Sequence, residues 1–158
     1  MPAPTPDPTP APTRGPGPPG PTVAVAESLT GGLLCSRLAR REGAAEWFRG
    51  GVVAYTRLTK ERLLDIGDAP VVSEAAARSM AAHVAELLSA DVAVAVTGVG
   101  GPDPEDGIPP GTVWIARCGD GGTEAHLFHF DGDPTAVCDQ TCEAAEALLD
   151  NALRRPAG

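Results

Sequence analysis

Apolar positions fall into two patterns along the chain. Short unbroken runs predict strands: "TVAVAE" from Thr22 to Glu27 and "DVAVAVTG" from Asp91 to Gly98, read as buried, and "GGVVAY" from Gly50 to Tyr55. Helical spacing governs the rest. From Gly31 to Arg41, Leu33, Leu34 and Leu38 share one helical face, and the basic end suits a helix C-terminus. "RLTKERLLDIG" reads as a short helix closed by Gly67. "VSEAAARSMAAHVAELLSA" is the longest clear helix. Ser73 is its N-cap, Glu74 lies in its first turn, and Ala76, Ala77, Met80, Val84, Leu87 and Leu88 form its apolar stripe.

"GTVWIARCG" and "GTEAHLFHF" are two strands joined by "DGG", a hairpin signal. The last helix runs from Pro134 to Leu153, with Val137, Thr141, Ala145, Leu148 and Leu149 inward. The order β-α-β-α-α-β-β-β-α predicts a single α/β domain, a mixed sheet between two helical layers.

Composition changes the picture at the N-terminus. The first 22 residues are mostly Pro, Ala, Gly and Thr. Such a segment cannot offset the entropy of ordering, so residues 1–21 are expected to form a disordered tail and residues 22–155 the domain. The tail lacks the basic start and apolar stretch of a signal peptide. No segment reaches the roughly 18 apolar residues a membrane span needs. The expected location is the cytoplasm, with no membrane partner.

Formal net charge is -9. Asp7 and Arg14 cancel within the tail, so this charge sits on the domain and argues against a nucleic-acid partner. The four cysteines, Cys35, Cys118, Cys138 and Cys142, read as reduced thiols. Cys138 and Cys142 share a helical face, but no Cys-x-x-Cys or neighbouring His pair supports a metal, and small half-buried side chains explain them. His83, His126 and His129 fit no ligand or triad spacing, and the last two fall on a predicted edge strand.

Candidate chemistry sits where apolar runs end, the edge at which open α/β sheets bind ligands. "AESLTGG" puts Ser28 where a strand turns into a helix. The amides of Thr30, Gly31 and Gly32 are donors there for a phosphate or an oxyanion, although Ser and Thr also cap helices. Lys60 follows the second strand by about one turn. It can serve a serine as base if its pKa is lowered, but on its own it reads as a solvated lysine on a short helix beside Glu61 and Arg62. The third strand ends on Thr97 and Gly98 and opens a long Gly/Pro-rich loop, a kind often functional. Asp103, Glu105 and Asp106 in that loop read as a solvated acidic turn that would repel a phosphate if it faced the site.

"AESLTGG", "GGVVAYTRLTKERLLDIG", "VSEAAARSMA", "DVAVAVTGVGGP" and "PPGTVWIA", in this order, resemble the CinA C-terminal domain family over Thr22 to Leu153. The characterised activity of that family is nicotinamide mononucleotide deamidase (the PncC-type amidase). The resemblance implies an α/β/α domain that hydrolyses the carboxamide of the nucleotide to the acid and ammonia, without metal or organic cofactor. It implies Ser28 as nucleophile, Lys60 as its base, and Tyr55 and Thr97 lining the site and orienting protons. It also implies Thr30, Gly31 and Gly32 as backbone donors, Gly98 beside the substrate, and Glu27 orienting its neighbours.

The chain departs from that family in three places. "DAP" is a shortened loop. After "FDGD" (Phe130 to Asp133), Pro134 and Cys138 stand where arginines are usual, and a bidentate arginine has no substitute in either. The third departure is the acidic "PDPED". An amidase with a changed carboxamide substrate is one alternative. Another is a non-catalytic nucleotide- or protein-binding regulatory module whose Pro-rich tail serves as linker or partner ligand. The apolar hairpin strands offer an edge for a homo-oligomer.

Overall fold

The computed structural model describes residues 20–154. The expected disorder of the tail concerns residues that, but for Gly20 and Pro21, lie outside the described ones. The described chain runs β1 (Val23–Glu27), α1 (Leu33–Ala39), α2 (Ala44–Trp47), β2 (Phe48–Val53), α3 (Arg57–Leu64), α4 (Glu74–Leu87), β3 (Val92–Gly98), β4 (Thr112–Gly119), β5 (Gly122–His129) and α5 (Pro134–Arg154). The five strands form one mixed sheet in the order β2-β1-β3-β4-β5. β1 is parallel to β2 and β3, while β4 and β5 are antiparallel additions.

Alternating residue size in the central strands decides what packs on each face. Ala24, Ala26, Ala93 and Ala95 point to one side, where small side chains let Ala76, Ala77, Met80 and Ala81 of α4 come close. Val23, Val25, Val92, Val94 and Val96 point to the other. There Leu34 and Leu38 of α1 and Val137 and Leu149 of α5 fill the larger space. The α/β/α layering expected from the sequence is therefore built from an Ala face and a Val face of one sheet. Each buried valine contributes about 1.5–3 kcal/mol of transfer free energy.

Element boundaries differ from expectation for local reasons. α1 starts at Leu33 because Gly31 and Gly32 take left-handed φ values of 55° and 105° and form the turn that enters the helix. α2 has four residues, too short for any periodicity to announce it. Asp65, at φ 49°, ends α3, ahead of Gly67. Leu87 is 54% exposed: the stripe of α4 passes from Val84 to Leu88, which packs against the core beyond the helix end. Ser73 does cap α4, its Oγ accepting the Ala76 amide at 3.1 Å, and the hairpin turns at Asp120–Gly121.

Candidate active site

β1 and β3 are parallel neighbours with Ala26 opposite Ala95, so two residues on, Ser28 comes level with Thr97. Both residues are buried and line one cavity of about 190 Å³ with Tyr55, Lys60 and Gly98. β2 departs to one side of β1 and β3 returns on the other, so the cavity sits at the topological switch point of the sheet.

Lys60 comes from the first turn of α3, which Thr56 caps through the Thr59 amide. Only 3% of Lys60 is exposed. Burial lowers its pKa below the ordinary 10.5; Glu105 pushes back upward and Arg57 adds to the lowering. Its Nζ donates to the Tyr55 carbonyl at 3.3 Å. Tyr55 therefore meets Lys60 through its backbone, while the residue itself is 68% exposed at the cavity. Among the described residues no hydrogen bond links Ser28 to Lys60, and no partner holds the serine hydroxyl.

The remaining candidates divide between cavity and scaffold. Thr97 commits its hydroxyl proton to the Val71 carbonyl at 2.5 Å, which leaves it lone pairs to accept with. Gly98 lines the cavity where β3 and β4 approach closely; a Cβ there would stand 2.6 Å from the Thr112 carbonyl oxygen. Thr30, Gly31 and Gly32 do not line the cavity. Glu27 does not either. It is fully buried, and its carboxylate accepts the Thr30 hydroxyl at 2.6 Å and the Leu34 and Cys35 amides at 2.8 and 3.0 Å. Glu27 thus meets donors at the start of α1 other than the Thr30, Gly31 and Gly32 amides, of which the Gly31 amide donates to the Ser28 carbonyl at 3.0 Å.

One feature of the wall differs from the sequence expectation. Asp103 and Glu105 face the cavity instead of standing in a purely solvated turn. The signal was available, since the acidic run follows the end of β3 at the edge where β1 delivers Ser28. Pro134 and Cys138 also line the cavity, so the positions where arginines were missed belong to it. Pro134 opens α5, which Asp133 caps by accepting the Ala136 amide at 2.8 Å. Cys138 donates to the Leu29 carbonyl at 3.2 Å, and burial raises its thiol pKa.

The four cysteines are free thiols, and among the described residues no cluster of His, Cys, Asp and Glu could hold a metal ion. His126 and His129 are exposed on edge strand β5. No described helix is long and apolar enough to cross a membrane.

The model of the CinA C-terminal domain matches residues 19–153. A CinA-like protein of Frankia casuarinae is 41% identical over 142 residues, covering 87% of this chain and 32% of that protein. A Bacillus velezensis protein with a competence-damage inducible label is 37% identical over 123 residues, 75% of this chain and 30% of the relative. The chain thus spans about a third of the length of the curated relatives it matches. A CinA superfamily crystal structure from Klebsiella pneumoniae superposes with TM-score 0.81 at 35% identity, covering 85% of this chain and 88% of that one. One from Escherichia coli gives 0.80 at 36%, covering 84% and 81%. On sequence and fold together, the chain belongs to the CinA C-terminal domain family.

Proposed function

We propose that this protein is an amidohydrolase that attacks a carboxamide through Ser28 with Lys60 as its base. One observation carries the reading: a hydroxyl without a hydrogen-bond partner and a lysine whose pKa burial has lowered line the same small cavity. A neutral lysine is what a serine needs as a base near neutral pH.

The step balances simply. Lys60 Nζ swings from the Tyr55 carbonyl toward Ser28 and takes the hydroxyl proton as Ser28 Oγ bonds to the carboxamide carbon. The proton then passes to the departing nitrogen, the C–N bond breaks, and ammonia leaves an acyl-serine. Water, activated by the same lysine, forms the acid and frees Ser28. The backbone of Gly100 and Gly101 lines the cavity and is where amide donors for the tetrahedral oxyanion would come from. Thr97, with its proton on Val71, acts as an acceptor and keeps the Val71 wall in place.

The resemblance makes nicotinamide mononucleotide the first compound to assay. A changed carboxamide is the second reading, favoured by Pro134 and Cys138 in the cavity wall. The test is ammonia release from nicotinamide mononucleotide and from its dephosphorylated nucleoside. Ser28→Ala and Lys60→Ala are each expected to lower kcat/KM at least a hundredfold. Turnover that survives Ser28→Ala would remove the acyl-serine route. Binding without turnover in the wild type would support a regulatory binding module instead.

A further inference from the structure

Few side chains decide the charge of this cavity. Lys60 is the one cation among its described lining residues, and Asp103 and Glu105 are its carboxylates. Arg57 acts on Lys60 from a distance, but its guanidinium lies outside the lining, held by Glu61 at 3.2 Å and the Ala69 carbonyl at 3.0 Å. α5 contributes Pro134 and the Cys138 thiol, both uncharged. In the form able to take the Ser28 proton, Lys60 is neutral. The lining then presents two carboxylates and no cation.

Size and position turn that charge into selection. A cavity of about 190 Å³ is smaller than the roughly 300–1,000 Å³ of pockets that enclose a whole drug-sized ligand. It takes a carboxamide-bearing ring and leaves the rest of the molecule at the opening. Ser28, Lys60 and Thr97 are buried and form the floor, whereas Asp103 and Glu105 are exposed and form the rim. Whatever protrudes passes the two carboxylates. A phosphate there meets like charge beside a low-dielectric wall, where Coulomb repulsion is only partly screened.

We propose that the cavity selects a carboxamide whose protruding part is uncharged or cationic, and discriminates against a phosphorylated one. The ring-first orientation rests on the acyl-transfer reading of Ser28 and Lys60.

Binding separates the two ideas. The Ser28→Ala protein is titrated calorimetrically with nicotinamide mononucleotide and with its dephosphorylated nucleoside. The same is done after adding Asp103→Asn and Glu105→Gln, two exposed positions where unchanged thermal unfolding verifies the fold. The nucleoside is expected to bind about tenfold tighter, and the preference to fall to about twofold once the carboxylates are gone or salt is raised. Tighter binding of the nucleotide, a preference unmoved by the two substitutions, or binding of neither compound would overturn the proposal. If the nucleoside preference holds but the wild type releases no ammonia from either compound, charge selection stands and the amidase reading alone falls.

Discussion

Lys60 is where function and stability oppose each other. Burial lowers its pKa, so between that lowered value and 10.5 the unfolded chain holds a proton that the folded chain has released. Stability then rises with pH across that window, and below it the folded state carries the full cost of a buried ammonium. Lys60→Met has no such proton. Its midpoint in urea is expected to exceed that of the wild type at pH 7, and the gap should close as pH approaches 10.5. Activity is expected to be absent in Lys60→Met, the variant that gains stability, and in the wild type to rise with pH, as stability does, while Lys60 loses its proton. Glu105 is the group that pushes the pKa back up, so Glu105→Gln should move the rising limb of the pH–rate profile to lower pH. A limb that stays put would mean that another group limits the rate. This pairing was only half legible in the sequence. The stretch around Lys60 alone reads as a solvated lysine on a short helix, and only the family resemblance singles it out. Its burial depends on the packing of α3, which no local pattern encodes.

At the scale of elements, the join between β1 and α1 carries the most information. A glutamate at the end of a fully apolar run looks from sequence like a group delivered to a ligand. In the structure it closes three donors, one hydroxyl and two amides, and thereby fixes the start of α1 against the strand that carries Ser28. Glu27→Gln keeps the shape but replaces one accepting oxygen with a donor. The expected loss is about 2 kcal/mol in urea unfolding. Glu27→Ala leaves all three donors buried without that partner, and the expected loss rises to about 4 kcal/mol. A loss below about 1 kcal/mol for both would show that the carboxylate is dispensable to the turn. Elements with long periodic patterns, α4 and α5, were legible to within a residue or two, because a stripe of buried positions repeats along them. α2 was invisible, and β2 starts at Phe48, ahead of the glycines that suggested its beginning. Short elements are fixed by what they pack on: Gly51 admits no Cβ because Cys35 Sγ and Val25 already occupy that space.

The whole molecule places the cavity through strand order, and strand order is the least legible property of the sequence. Nothing in "TVAVAE" or "DVAVAVTG" says that the two runs lie side by side. Their adjacency brings Ser28 level with Thr97, and it depends on where β1 begins. That point is a clamp between Thr22 and Asp91. The Asp91 carboxylate accepts the Thr22 amide at 2.8 Å and its hydroxyl at 3.0 Å, and the Thr22 carbonyl accepts the Asp91 and Val92 amides at 3.0 and 2.9 Å. β1 is thus tied to β3 one residue before the two strands begin, at the end of the sheet opposite the cavity. If that clamp sets the register, nothing before Gly20 is required. A chain shortened to begin at Gly20 should unfold within about 0.5 kcal/mol of the full chain and keep its turnover. The single change Asp91→Ala, which removes the acceptor of two Thr22 donors, should cost about 2 kcal/mol. The two measurements set 19 residues of Pro-rich sequence against one carboxylate. A shortened chain that loses more than Asp91→Ala would mean that the N-terminal segment packs on the domain, and that the boundary drawn at Thr22 from composition lies in the wrong place.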